Sequence, residues 1–476
     1  MEVFKKKGVL RKILGISFIF VLLVMHGQTA IVLGTANTKT TGSFTKEATQ
    51  ASPEAKSEES TKESESEENV KETVTSPDTD KKTSERYEDM GEDVLSEIDD
   101  EYLNKIANEP ISESTIEGLN VSSVAAVLME GSTGKIIYEK NSTQELRPAS
   151  ITKIMTLLLI FEALESGQIK ITDMVPVSEH AASMGGSQVY LEPNETQDVD
   201  TMIKCISIAS ANDASVAMGE FIAGSEESFV ARMNEKAKQL GMNHTNFVNC
   251  YGLDEDNHYS CAMDVAIMSR ELITRFPQIS NYATVWMDTF VHTTRKGQTE
   301  FGLTNTNKLI KSYNGITGLK TGSTGLAKYC LSATARRNNM DLIAVIMAAP
   351  DTKTRFAEAS KLLNYGFANC SIYMDSGENL EIPNITVKMG VEESVKGKMS
   401  NPFSYLCMGD IKPADITKEV KIYDSIKAPL TITDSIGEIV YYCNGTELGK
   451  VNIVPACEVK KAGYGDYFSL LIHKYF

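Results

Sequence analysis

Arg147-Pro148-Ala149-Ser150-Ile151-Thr152-Lys153-Ile154-Met155-Thr156-Leu157-Leu158-Leu159-Ile160 is the stretch on which the reading of this chain turns. Pro148 and Ala149 precede a long apolar run, which predicts a helix buried from its first turn after Ser150. Positions i and i+3 of a helix share a face. The spacing therefore sets the Ser150 hydroxyl beside the Lys153 amine. Serine alone is a poor nucleophile and needs a base within hydrogen-bond reach. A lysine that loses its proton in a dry site supplies one.

Outward from this helix the chain reads as mixed α and β. Val124 to Met129 reads as a buried strand, Gly131-Ser132-Thr133-Gly134 as a turn, and Lys135 to Tyr138 as the second arm of a hairpin. Helical segments are expected at 200–222 and 226–240, strands near 315–334 and 341–348, and a helix near 353–366. Strands at both ends with helices between them predict an α+β domain. After about residue 370 the texture changes to short alternating runs broken by Gly, Asn, Asp and Pro. Ile439 to Tyr442, the Asn444-Gly445 turn and Val451 to Val454 predict a hairpin in a small all-β domain.

The 476 residues carry a net charge of −17, unevenly spread. Residues 46–113 hold 22 acidic residues against eight basic ones. Most of the acidity thus belongs to one segment. Together with a single tryptophan, it argues against nucleic acid as a partner, which needs a basic face. Lys5, Lys6, Lys7, Arg11 and Lys12, then the apolar run Ile13 to Met25 and the small residues Gly34-Thr35-Ala36, predict a signal peptide or signal-anchor over 1–36. The Ser/Thr/Glu/Lys-rich stretch 37–95 has too few apolar residues to offset chain entropy and is expected to be a disordered linker. The expected units are then a catalytic domain over 96–370, the β domain over 371–462 and a possible amphipathic helix over 463–476. Eight cysteines, all after the linker, either pair outside the cell or lie as buried thiols. No Cys/His spacing suggests zinc, so no metal or cofactor is expected.

Two more motifs follow the first in order. Ser210-Ala211-Asn212 offers a second hydroxyl to pass a proton and an amide to hold a carbonyl. Lys320-Thr321-Gly322, followed by Ser323, ends a strand-like run. Its glycine admits close approach by a peptide, and its lysine and threonine would meet an anionic end of a substrate.

With these motifs in order, the chain from about residue 118 resembles the low-molecular-mass penicillin-binding proteins, the serine-type D-alanyl-D-alanine carboxypeptidases. Thr133-Gly134-Lys135, Ser210-Ala211-Asn212-Asp213-Ala214, Gly318-Leu319-Lys320-Thr321-Gly322 and Leu362-Leu363-Asn364-Tyr365-Gly366-Phe367 extend the likeness. The resemblance implies an α+β fold with a β-lactamase/transpeptidase-like catalytic domain and a small all-β C-terminal domain. It implies that Ser150 forms an acyl-enzyme, Lys153 takes its proton and Ser210 relays a proton. Asn212, Lys320, Thr321, Gly322, Ser323 and Arg355 would bind substrate, and the backbone N–H groups of Ser150 and Ser323 would form the oxyanion hole. Arg355 would bind the terminal carboxylate directly or through Thr321. The expected partners are a peptidoglycan stem peptide ending in D-Ala-D-Ala and β-lactams as covalent inhibitors, with a membrane surface possible.

Departures from the family pattern are Lys328, where a small residue is usual, and Glu130, where Asp is common. His258 reads as structural. Phe468, Leu471, Ile472 and Tyr475 share one face of a C-terminal helix that is either a membrane anchor or packed on the β domain. The rivals are a D,D-endopeptidase, a β-lactamase and an inactive wall-binding protein. No Glu-x-x-Leu-Asn run lies between Asn212 and Lys320, which predicts a long-lived penicillin adduct. Export and a long linker suggest a Gram-positive surface.

Overall fold

The computed structural model describes residues 99–108, 118–378 and 380–475; the expected leader and linker lie outside the described residues. The longer elements run in the order α1 (Asp100–Ala107), β1 (Ala125–Glu130), β2 (Ile136–Lys140), α2 (Lys153–Glu165), α3 (Val199–Ser207), α4 (Asn212–Ala223), α5 (Glu226–Gln239), α6 (Ala262–Arg275), β3 (Met287–Thr294), β4 (Gly297–Thr304), β5 (Ile316–Thr324), β6 (Lys328–Arg337), β7 (Met340–Ala349) and α7 (Thr352–Asn369). The β-rich part holds β8 (Cys370–Asp375), β9 (Phe403–Met408), β10 (Ile416–Ile422), β11 (Gly437–Cys443) and β12 (Thr446–Pro455), and α8 (Tyr464–Tyr475) follows.

Five antiparallel strands form the main sheet in the order β2-β1-β7-β6-β5. All six residues of β1 are buried, because the sheet is covered on both faces. Successive side chains of a strand point to opposite faces. Ala125, Val127 and Met129 accordingly join one apolar core with α2, α3, α4 and α6. Ala126 and Leu128 join a second core with α7 and α1. A third core, which includes Ile439, Tyr441 and Ile453, belongs to the β-rich part.

Nine consecutive residues of α2, Lys153 to Phe161, are buried. A helix that is apolar all round is a core helix, and α2 stands in the middle of the first core. Its first turn is tighter than an α-helix: Ala149–Thr152 is a 3₁₀ turn, with Ala149 at φ 49°.

Three points of the sequence reading are sharpened by the structure. The helical segments of 200–222 are α3 and α4, separated by a break at Ser210, which sits at φ 60°. The hairpin of β3 and β4 has no counterpart in the reading, since its exposed strands carry mostly polar residues. All eight cysteines are free thiols, seven of them buried, so the buried-thiol alternative is the one found. The Asn444-Gly445 turn joins β11 and β12 with both residues at positive φ, the conformation that a two-residue hairpin favours.

Candidate active site

Ser150, Lys153, Ser210, Asn212 and Lys320 come from four separate elements and meet beside the free edge of β5. What holds them there is close backbone packing. A Cβ on Gly322 would stand 2.8 Å from the Ser150 amide nitrogen and 2.9 Å from that of Ile151. A Cβ on Gly252, at φ 96°, would stand 2.0 Å from the Ala149 carbonyl oxygen. Only glycine lets β5 and the 249–253 loop close on the turn that carries Ser150.

Lys153 is buried, with its Nζ 3.1 Å from Ser150 Oγ, 2.6 Å from Asn212 Oδ1 and 2.7 Å from the Tyr251 carbonyl oxygen. Burial, with the neighbouring Lys320 charge second, holds its amine well below the ordinary lysine value. A neutral amine has two hydrogens and one lone pair. When Lys153 gives up its proton, its two remaining hydrogens have Asn212 and Tyr251 as acceptors, and the lone pair is left for the Ser150 hydroxyl. The S-x-x-K spacing thus makes the contact that it predicts, and the Tyr251 carbonyl completes it.

Lys320 Nζ donates to Ser210 Oγ at 2.8 Å and to the Thr321 carbonyl oxygen at 3.2 Å. Burial, and then the Arg355 charge, pull its amine down to about 7. Ser210 therefore stands on Lys320. Asn212 also donates from Nδ2 to the Gly185 carbonyl at 2.7 Å, while its backbone N–H donates to Ser187. Its amide orients Lys153 as well as any carbonyl that would take the second Nδ2 hydrogen. Thr321 is buried, with its Oγ1 2.6 Å from Thr306 Oγ1. Ser323 is exposed at the end of the edge strand.

Arg355 is buried on α7, with NH1 at 3.4 Å from the carbonyls of Gly322 and Cys330 and its guanidinium over the Phe356 ring. It lies against the backbone of β5 and β6, and its charge reaches the site through Lys320.

Sequence reasoning missed three supports. Asp213 accepts from the backbone N–H groups of Val189 and Leu191, both at 3.1 Å, and so ties the 185–191 segment to α4. The Tyr251 carbonyl has no side-chain signal. Thr306 lies between two asparagines in a polar stretch that carries no motif. His258 is buried, accepting at Nδ1 from Val248 N–H and bonding Thr152 Oγ1 through Nε2 at 2.9 Å, and burial lowers it to about 4. It is a neutral tie beneath the Ser150 turn. Glu130 accepts from the backbone N–H groups of Ser132 and Thr133, so the longer carboxylate still closes that turn. Lys328 is exposed at φ 58° at the start of β6, just after the turn from β5. Among the described residues no cluster of three or more His, Cys, Asp or Glu side chains is placed to hold a metal.

Two family profiles match the chain. One described as D-alanyl-D-alanine carboxypeptidase covers residues 111–351, and one described as the penicillin-binding protein 5 C-terminal domain covers 376–461. The D-alanyl-D-alanine carboxypeptidase DacF of Bacillus subtilis is 46% identical over 340 residues, 71% of this chain and 86% of that protein. DacC of Escherichia coli is 31% identical, over 77% of this chain and 92% of that one. Among solved structures, penicillin-binding protein 5 from Haemophilus influenzae is similar with a TM-score of 0.62 and 31% identity, covering 72% of this chain and 98% of its own. These relatives come from bacteria with different envelopes, so the Gram-positive expectation gains no support from them.

Proposed function

Because the chain belongs to the D-alanyl-D-alanine carboxypeptidase family, and because that family's chemistry needs an activated serine, we propose that it removes the terminal D-alanine from peptidoglycan stem peptides through an acyl-enzyme on Ser150. It is a serine-type hydrolase. The observation that carries the reading is the buried Lys153 amine, which stands 3.1 Å from Ser150 Oγ and is held by Asn212 Oδ1 and the Tyr251 carbonyl oxygen.

Ser150 Oγ attacks the carbonyl carbon of the penultimate D-alanine while its proton passes to Lys153 Nζ. The developing oxyanion is met by the backbone N–H groups of Ser150 and Ser323. As the C–N bond breaks, the proton that Lys153 took is relayed through the Ser210 hydroxyl, held by Lys320, to the leaving amine, so that Ser210 keeps a proton and Lys153 is again a free base. Water then cleaves the ester and restores Ser150. The free edge of β5 gives the substrate backbone a strand to pair with. Lys320, Thr321 and the field of Arg355 receive the terminal carboxylate. A β-lactam opens on Ser150 by the same attack. Without a second carboxylate base the adduct is long-lived.

The experiment is D-alanine release from a peptide ending in D-Ala-D-Ala, with Ser150→Ala as control. Release by the parent and none by the variant is the expected result. Cleavage of crosslinked peptides alone would turn the reading to an endopeptidase, and activity in the variant would overturn Ser150 as nucleophile.

We also propose export through residues 1–36, placement at the cell wall, and contact with a membrane surface through α8. Among the described residues no helix is long and apolar enough to cross a membrane. On α8, however, Tyr464, Phe468 and Ile472 follow one another at i, i+4, i+8 with exposures of 99%, 67% and 44%. An exposed apolar stripe of this kind suits shallow insertion. Removing 464–476 is expected to shift a signal-cleaved chain out of the membrane fraction; an unchanged distribution would refute it.

A further inference from the structure

We infer that Thr306 is a positioning residue for recognition of the substrate's terminal carboxylate, acting through the hydroxyl of Thr321; this rests on the reading of Thr321 as a carboxylate contact. Thr306 is the partly exposed middle residue of Asn305-Thr306-Asn307, between two asparagines that are 2% and 1% exposed. Asn305 Nδ2 donates to the Val285 carbonyl at 2.9 Å, and Asn305 Oδ1 accepts from Asn307 N–H at 2.9 Å. Asn307 Nδ2 in turn donates to the Gly318 carbonyl of β5 at 3.1 Å. The clip is thus stitched to the strand that carries Thr321, and it delivers the Thr306 hydroxyl to Thr321 Oγ1 at 2.6 Å.

A hydroxyl has a single hydrogen to give. If Thr321 spends it on Thr306, none is left for a carboxylate. If Thr306 donates instead, Thr321 keeps its hydrogen for the substrate and gains acidity from the bond it accepts. An arriving anion selects the second order, and the chain Thr306 O–H to Thr321 O–H to carboxylate is then complete. Lys320 and Arg355 supply the positive field, and the two hydroxyls supply direction. The clip therefore selects for a substrate that carries a carboxylate at its end.

The test uses the full chain and two thioesters of one acyl peptide, one with a thioglycolate leaving group and one with the neutral thioglycolamide. Thr306→Val is expected to lower kcat/KM on the carboxylate substrate about fivefold, mostly through KM, and to leave the neutral substrate unchanged. Thr306→Ser is expected to restore the parent values. An equal loss on both substrates, no loss on either, or failure of serine to restore would overturn the inference. Thr321→Val separates the two levels. If it keeps the preference for the carboxylate substrate, both the Thr321 reading and the inference fail. If it loses that preference while Thr306→Val keeps it, only the inference fails.

Discussion

Lys153 and Lys320 lie side by side in the protein interior, and no acidic side chain bonds either amine among the described residues. Such an arrangement opposes folding. Lys320 titrates near 7 in the folded chain and near 10.4 when unfolded. Between those values the unfolded state binds more protons, so stability rises with pH across this window and is lowest below it. The penalty at neutral pH is on the order of 4 kcal/mol. Lys320→Met is therefore expected to raise Tm by roughly 5 °C at pH 7 while abolishing turnover, with the gain shrinking towards pH 10. Calorimetry across pH checks it, and a gain independent of pH would refute the assignment. At this scale the sequence was most informative. Ser150 and Lys153 are tied by helical spacing alone. Thr306 and the Tyr251 carbonyl were illegible, because one is a hydroxyl in a polar turn and the other is backbone.

Elements place these residues by breaking as much as by forming. The break between α3 and α4 puts Ser210 at φ 60° and starts α4 on Asn212. Periodicity runs through this point undisturbed, so only the Ser210-Ala211-Asn212 motif marks the break. β1, α2 and β7 were legible because each is a long apolar run. The polar hairpin of β3 and β4 was not, since it buries few side chains, Phe290 and Leu303 among them, and most of its residues are polar. Gly322 tests how finely β5 must sit. With Gly322→Ala the new Cβ would overlap the Ser150 amide at 2.8 Å, and β5 or the Ser150 turn must yield. A displacement of this size is expected to slow acylation by a fluorescent penicillin by about 100-fold. The circular dichroism spectrum should stay that of the parent. An unchanged acylation rate would show that the strand has slack.

Across the whole molecule, apolar burial is divided. Two cores share the five-stranded sheet, and the third, around Tyr441 and Phe403, belongs to the β-rich part. The pairing of β8 with β9 is the seam, and Leu406 of β9 joins the second core. A new core needs a new rhythm of apolar residues, and the texture of the sequence changes near residue 370. Two calorimetric transitions are expected. Acylation by penicillin should raise only the one that belongs to the Ser150 part. A single transition, or a joint shift, would mean that the seam couples the parts into one cooperative unit.

The thiols give the molecule a practical asymmetry. Seven are buried, and Cys457, just beyond β12, is the exposed one. A maleimide offered to the folded chain thus has a single address. A dye, a spin label or a bead linked there reports on or holds the molecule from the β-rich part, with Ser150 untouched, and no cysteine need be removed first.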